Sequence, residues 1–127
     1  MLVENSSIRE IYFGGAKGTD NEALKAALYH RIGKYPRLTV VLPDTLEHQP
    51  VETHQWTSKA DAMIELKQAI TSEDGYTSYR KRNEYLVDHG TFLVAFFNGN
   101  FKSGTGQAIS YAEKSGKLVY RINVSSA

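Results

Sequence analysis

Two stretches of this chain have residue types and spacing suited to holding an anion. Gly14, Gly15, Ala16 and Gly18 lead into Thr19 and Asp20. Glycine has no Cβ, so such a turn adopts positive φ and lets a ligand approach its N–H groups. Thr19 or Asp20 caps a following helix, and Glu22 falls in its first turn, where negative charge is favoured. The second stretch runs Asn98-Gly-Asn-Phe-Lys-Ser103-Gly104-Thr105-Gly106 and opens a helix at Gln107. A strand, a glycine turn and a helix N-terminus together form a place for a phosphate. An ordinary tight βα turn has the same composition.

Other candidate chemistry is thinner. Gly99 to Gly104 has P-loop glycine spacing, but Thr105-Gly106 stand where Lys-Ser/Thr is needed. His48 and His54 flank Glu52 without the i, i+4 spacing of a helical metal site, and read as solvated loop histidines. Arg80-Lys81-Arg82 is either a phosphate-binding cluster or a solvated helix face. Ser103 and Ser110 form no nucleophile–base pairing with the histidines. Tyr76 and Tyr79 suit base stacking or packing equally.

The elements that must position these residues follow from periodicity. Ile8 to Phe13 reads as a strand, and Asn21 to Ile32 as a helix with Leu24, Ala27, Leu28 and Ile32 on one face and Gly33 as its stop. Leu38 to Leu42 is a second strand, ended by Pro43-Asp44. Asp44 to Thr57 has few apolar residues and reads as a long loop. Ser58 with Asp61 opens a predicted helix with Met63, Leu66 and Ile70 inward. Asp74-Gly75 breaks the chain, and Tyr76 to Asp88 is a helix with Tyr79, Leu86 and Val87 inward. Thr91 to Phe97 is apolar enough for a strand buried on both faces. Gln107 to Ser115 is an amphipathic helix stopped by Gly116, and Leu118 to Ile122 is the last strand. Such alternation predicts one α/β domain over residues 1–127. It would be a three-layer Rossmann-like fold, with a mainly parallel sheet of about four to five strands and helices on both faces. Both glycine loops would then lie at the carboxyl edge of the sheet and face each other across one pocket.

Composition bounds the function. Hydrophobic residues make up 41% and charged residues 23%, as in a soluble globular protein. A formal net charge of +1 provides no global field for nucleic acid or an anionic membrane. Cysteine is absent, which excludes disulfides and thiolate chemistry. No run approaches the length of a membrane span and no leader pattern opens the chain, so a cytoplasmic location is expected.

The motifs also resemble a known group. Gly14-Gly-Ala-Lys-Gly-Thr-Asp20 is similar to the first glycine motif of the SLOG superfamily, which contains DprA, YpsA-like proteins and the LOG nucleotide hydrolases. Arg82-Asn83 before an apolar strand, then Ser103-Gly-Thr105 followed by Tyr111-Ala112, resembles the second half of DprA and YpsA-like chains. Gln55-Trp56 and Gly75-Tyr76, with Arg82 to Asp88, point to the YpsA-like branch. The resemblance covers roughly residues 8 to 123.

This resemblance implies binding of a nucleotide or nucleotide-derived ligand, by a sensor or carrier without catalysis and without a further cofactor. Gly14, Gly15, Gly18, Ser103, Gly104, Thr105 and Gly106 would hold phosphate. Arg82 and Asn83 would complete the pocket wall, and Asn98 would point into it. Alternatives are N-glycosidic hydrolysis of the LOG type and DprA-like binding of single-stranded DNA. Against the first, the segment matching the LOG hydrolase motif carries no carboxylate. Glu113 is the next one, about two helical turns along. The near-zero net charge argues against the second. Family members also begin with a further, central strand. Its absence would leave Ile8–Phe13 and Thr91–Phe97 each short of a neighbour and Ile11, Phe13, Leu93, Ala95 and Phe97 under-covered. Two remedies are open, direct pairing of these two strands with each other or a homo-oligomer, a dimer in the simplest case, and the oligomer is the one expected.

Overall fold

The computed structural model describes residues 8–14, 19–67, 75–97, 99 and 104–123. The chain divides into two compact units, Met1–Ile70 and Thr71–Ala127. Both are α/β, and every strand ladder among the described residues is parallel.

In the first unit β1 (Glu10–Phe13), β2 (Arg37–Leu42) and β3 (Ala62–Glu65) form a sheet in the order β1-β2-β3. Helix α1 (Thr19–His30) connects β1 to β2. Central strand β2 is buried from Leu38 through Leu42, as a parallel strand covered on both faces must be. Its one hydroxyl does not go unsatisfied: Thr39 Oγ1 donates to Glu10 Oε2 at 2.6 Å. Phe13, Leu24, Ala27, Leu38, Val40 and Leu42 make the core, with Ile11, Leu28 and Trp56 packed against it. Burying a side chain such as Leu24 contributes about 1.5–3 kcal/mol. The helix ends before Gly33, whose φ of 63° suits a residue without Cβ.

Two element expectations fail in this unit, and Ile32, expected on the inner face of the first helix, lies past its end and is exposed. The segment expected as a long loop holds a 3-10 turn, Leu46–His48, and helix α2 (Val51–Thr57). Pro50 begins α2, and the buried residues are Thr53 and Thr57, four apart, with Trp56 partly buried beside them. An inward face built on threonines leaves no aliphatic period to read. Thr53 Oγ1 donates back to Pro50 O at 2.8 Å, which lets that polar side chain face inward.

The helix predicted from Ser58 is absent from the described part of that segment. Ser58 closes α2, and Ala62–Glu65 is β3, paired to β2 from Thr39↔Ala62 to Leu42↔Glu65. Ile70 lies outside the described residues, and Met63 is exposed. Asp61 sets where β3 begins. Its Oδ2 accepts from Leu38 N–H at 2.8 Å and from Arg31 Nη1 at 2.5 Å. The hydrogen bond from Arg31 is the main reason its carboxyl lies below the usual carboxylate range, and the Leu38 N–H adds to it.

The second unit is α3 (Gly75–His89), β4 (Phe92–Phe97), α4 (Gly104–Lys114) and β5 (Leu118–Asn123). Strands β4 and β5 pair from Phe92↔Leu118 to Phe97↔Asn123 around the α4 crossover. Gly116, with φ 75°, follows the end of α4. Helices α3 and α4 lie side by side in the same direction. Asn83 bonds to Gly104 and Gln107 near one end, and Tyr111 OH donates to Asp88 Oδ1 at 2.8 Å toward the other. The Asp88 carboxylate raises the Tyr111 phenol above its ordinary value.

Helix α4 covers one face of this sheet, where Ile109 packs with Ala95, Leu93 and Val119. The expectation that β4 is buried on both faces is therefore wrong: Phe92 and Phe96, on the other face, are exposed. The residues expected to be under-covered are instead packed. Phe13 and Ala95 are buried, and Ile11 and Leu93 are half-buried against the two cores. The side chain of Phe97 lies outside the described residues.

Candidate functional site

In the second unit the site is built on α3 and the first turn of α4. The basic cluster of α3 splits. Arg80 and Lys81 are exposed, whereas Arg82 retains only 7% of its surface. Helical spacing turns position 82 inward, and its long aliphatic stem tolerates burial. Arg82 Nε donates to Asn83 Oδ1 at 2.9 Å, and its guanidinium carbon lies 5.7 Å from the centre of the Tyr79 ring. Tyr79 is not the core residue its spacing predicts; it is partly exposed and pairs with the cation.

Asn83 joins this arginine to α4. Its Nδ2 donates to Gly104 O and to Gln107 Oε1, both at 3.2 Å. With Oδ1 engaged by Arg82, both ends of the amide are used, so its orientation is set by three partners. Gly104, Thr105 and Gly106 are not loop residues, as the sequence reading had them. They form the first turn of α4, three residues ahead of the expected start at Gln107. Helical N–H groups at such an end point outward and, with the macrodipole, favour an anion. A fixed guanidinium next to a helix N-terminus can bind phosphate in two-pronged fashion.

In the first unit the carboxyl edge of the sheet carries its own set of groups. Gly14 is buried directly after β1, and α1 begins at Thr19, two residues before the expected start. After β2, the buried carboxylate of Asp44 accepts from His48 Nδ1 at 2.6 Å. The His48 side chain is otherwise mostly exposed. Leu46 N–H donates to Glu65 Oε2 at 2.7 Å, fixing the 3-10 turn that carries His48 to the end of β3. Lys67, just beyond, has φ 58°, a left-handed conformation uncommon without glycine. A carboxylate that holds the Nδ1–H of an imidazole leaves Nε2 as a proton acceptor, an arrangement suited to proton transfer. Sequence reasoning missed the Asp44–His48 pair. Its signal, Asp and His at i, i+4, sat in a segment read as structureless.

Gly15, Ala16, Gly18, Asn98 and Ser103 lie outside the described residues, as does the Thr19 side chain. The structure brings together Arg82, Asn83, Gly104 and Gln107, and Gly14 belongs to the other unit. Among the described residues no three His, Asp or Glu side chains are grouped as metal ligands, and no helix is long and apolar enough to cross a membrane.

No family model matches the chain. It is similar to the uncharacterized SPbeta prophage-derived protein YoqJ of Bacillus subtilis strain 168, at 27% identity over 128 aligned positions, spanning 87% of this chain and 74% of that protein.

Proposed function

We propose that this protein binds a nucleotide or nucleotide-derived ligand and acts as a sensor or carrier without catalysis of its own. The ligand's phosphate would lie at the first turn of α4 beside Arg82. The carrying observation is the Arg82–Asn83–Gly104/Gln107 chain of hydrogen bonds, which fixes a buried guanidinium next to a helix N-terminus. The similarity of the glycine motifs to SLOG proteins of the YpsA-like branch supports the same reading. A thermal-shift series with nucleoside monophosphates, dinucleotides and cyclic nucleotides tests it. A ligand at about 100 times its Kd stabilises by about 2.7 kcal/mol, which moves the midpoint of a small domain by several degrees. A flat response across the series sinks the proposal.

A second reading, cleavage of an N-glycosidic bond in a nucleotide, draws on the Asp44–His48 pair, whose Nε2 would take a proton from the attacking water while the departing base takes one from solvent. Free base released from a nucleoside monophosphate by the protein, and not by His48→Gln, would replace the first reading with this one.

A further inference from the structure

Two side chains on the segment after β2 are nearly buried and still have hydrogen-bonding atoms unused. Asp44 and Gln49 each keep only 8% of their surface exposed. The Asp44 carboxylate engages His48 Nδ1 through Oδ2, and its Oδ1 has no partner among the described residues. Gln49 bonds through its backbone alone. Its N–H donates to Leu46 O at 3.0 Å, and its carbonyl accepts from His54 Nε2 at 2.9 Å. The Gln49 carboxamide has no partner among the described residues, so an acceptor oxygen and an NH2 donor are left over. Among those residues Thr57 Oγ1 is the one fully sealed side-chain atom without a partner, so these Asp44 and Gln49 atoms touch solvent. An unpartnered polar group in a buried side chain costs free energy, and folded proteins complete such groups with water or a ligand. The segment itself is held in place: Leu46 N–H donates to Glu65 Oε2, and His48 N–H donates to Thr45 O at 3.1 Å. It lies at the carboxyl edge of a parallel sheet, where α/β proteins take their ligands.

We infer that this segment, from Asp44 to Gln49, is a site for a nucleobase that carries an exocyclic amine. The pattern of donors and acceptors selects that class. A carboxamide presents a donor and an acceptor in one plane, and an adenine or cytosine edge answers with an amino group beside a ring nitrogen. One amino hydrogen serves Gln49 Oε1, the other is left for Asp44 Oδ1, and Gln49 Nε2 donates to the ring nitrogen. An aliphatic ammonium suits the carboxylate but gives the Gln49 NH2 no acceptor. A uracil edge has a single N–H between two carbonyls, so one carbonyl would stand against the Asp44 carboxylate. With so little of either side chain exposed, the ligand must arrive edge-on, as a flat ring does. The site belongs to the first unit and uses no phosphate contact, so it stands or falls apart from the reading of Arg82 and α4.

Calorimetric titration of the intact chain with adenosine, cytidine, guanosine and uridine tests it. None of these carries a phosphate, so the anion site proposed on α4 cannot supply the signal. At least one of the amino-bearing nucleosides should bind, with uridine at least about tenfold weaker. Gln49→Met keeps the length of the side chain without its amide, and Asp44→Asn keeps the shape without the charge. Each should weaken that nucleoside at least about fivefold while keeping the parent's circular dichroism. The side-chain NH2 resonances of Gln49 in the parent should move during the titration, a readout that needs no variant. No binding of any amino-bearing nucleoside overturns the inference, as do Gln49 resonances that stay still while one binds. Equal binding of uridine overturns it too, because it assigns the contact to the ribose that all four share. So does an affinity unchanged in either variant.

Discussion

Arg82 donates from Nε to Oδ1 of its own neighbour in sequence, Asn83, at 2.9 Å. Adjacent helical residues usually point about 100° apart. Here the longer side chain bends back, and the amide between them passes the constraint to Gly104 and Gln107 of α4. The guanidinium is therefore held in place by the protein itself, which on the proposed reading lowers the ordering cost of binding.

On the proposed reading, Arg82→Lys should weaken nucleotide binding tenfold or more, about 1.4 kcal/mol, because an ammonium cannot reproduce the planar fork. Arg80→Ala and Lys81→Ala, at exposed positions, should change affinity by less than about twofold. Calorimetric titration of the three variants checks this, and equal losses in all of them would mark a diffuse charged face rather than a site.

Thr57 is 2% exposed, and its hydroxyl has no hydrogen-bond partner among the described residues. A buried, unsatisfied polar group costs about 1–3 kcal/mol. Thr57→Val keeps the branched shape and removes the hydroxyl, so the melting midpoint should rise by a few degrees. A lower midpoint in a calorimetric scan would mean that the hydroxyl is satisfied in solution.

Asp61 gives the fold an acid-sensitive contribution. Arg31, together with the Leu38 N–H, holds its folded-state carboxyl below the ordinary 3.8. In the unfolded chain the carboxyl binds a proton at higher pH. The stabilisation is thus complete above about pH 4–5 and is lost as pH falls through the folded value. Asp61→Asn should lower the melting midpoint at neutral pH and narrow its gap to the parent as the pH drops toward 2. A gap that stays constant across that range would rule out this source.

The Asp44–His48 bond fixes a tautomer. Nδ1 must carry the proton that the carboxylate accepts, which leaves Nε2 unprotonated in the neutral ring. Nitrogen chemical shifts of His48 should show Nδ1–H as the dominant neutral form, and Asp44→Leu should return the ring toward the Nε2–H form usual in water. An unchanged tautomer in Asp44→Leu would mean that this pair does not orient the imidazole.

Much of the architecture was legible in the sequence. The strands expected at Ile8–Phe13, Leu38–Leu42, Thr91–Phe97 and Leu118–Ile122 match β1, β2, β4 and β5 to within two residues at each end, and Leu24 with Ala27 marks the buried face of α1, whereas Ile32, expected on that face, is exposed beyond the helix. Gly33 and Gly116 follow helix ends at positive φ, where only a residue without Cβ is unstrained. These are local signals: period, turn chemistry and backbone freedom act over a few residues, so the sequence carries them whole. Tertiary structure decided the rest. Ala62–Glu65 suits a helix by spacing, but the backbone row offered by β2 makes it a strand. Threonines carry the inner face of α2 because Pro50 and the core around Trp56 accommodate them. Arg82 differs from Arg80 and Lys81 by its angle around α3, and only the packing of α3 on α4 turns that angle into burial. Among the described residues of the second unit, α4 covers one face of β4 and β5 because it crosses on a single side, a choice that alternation within the strands cannot encode.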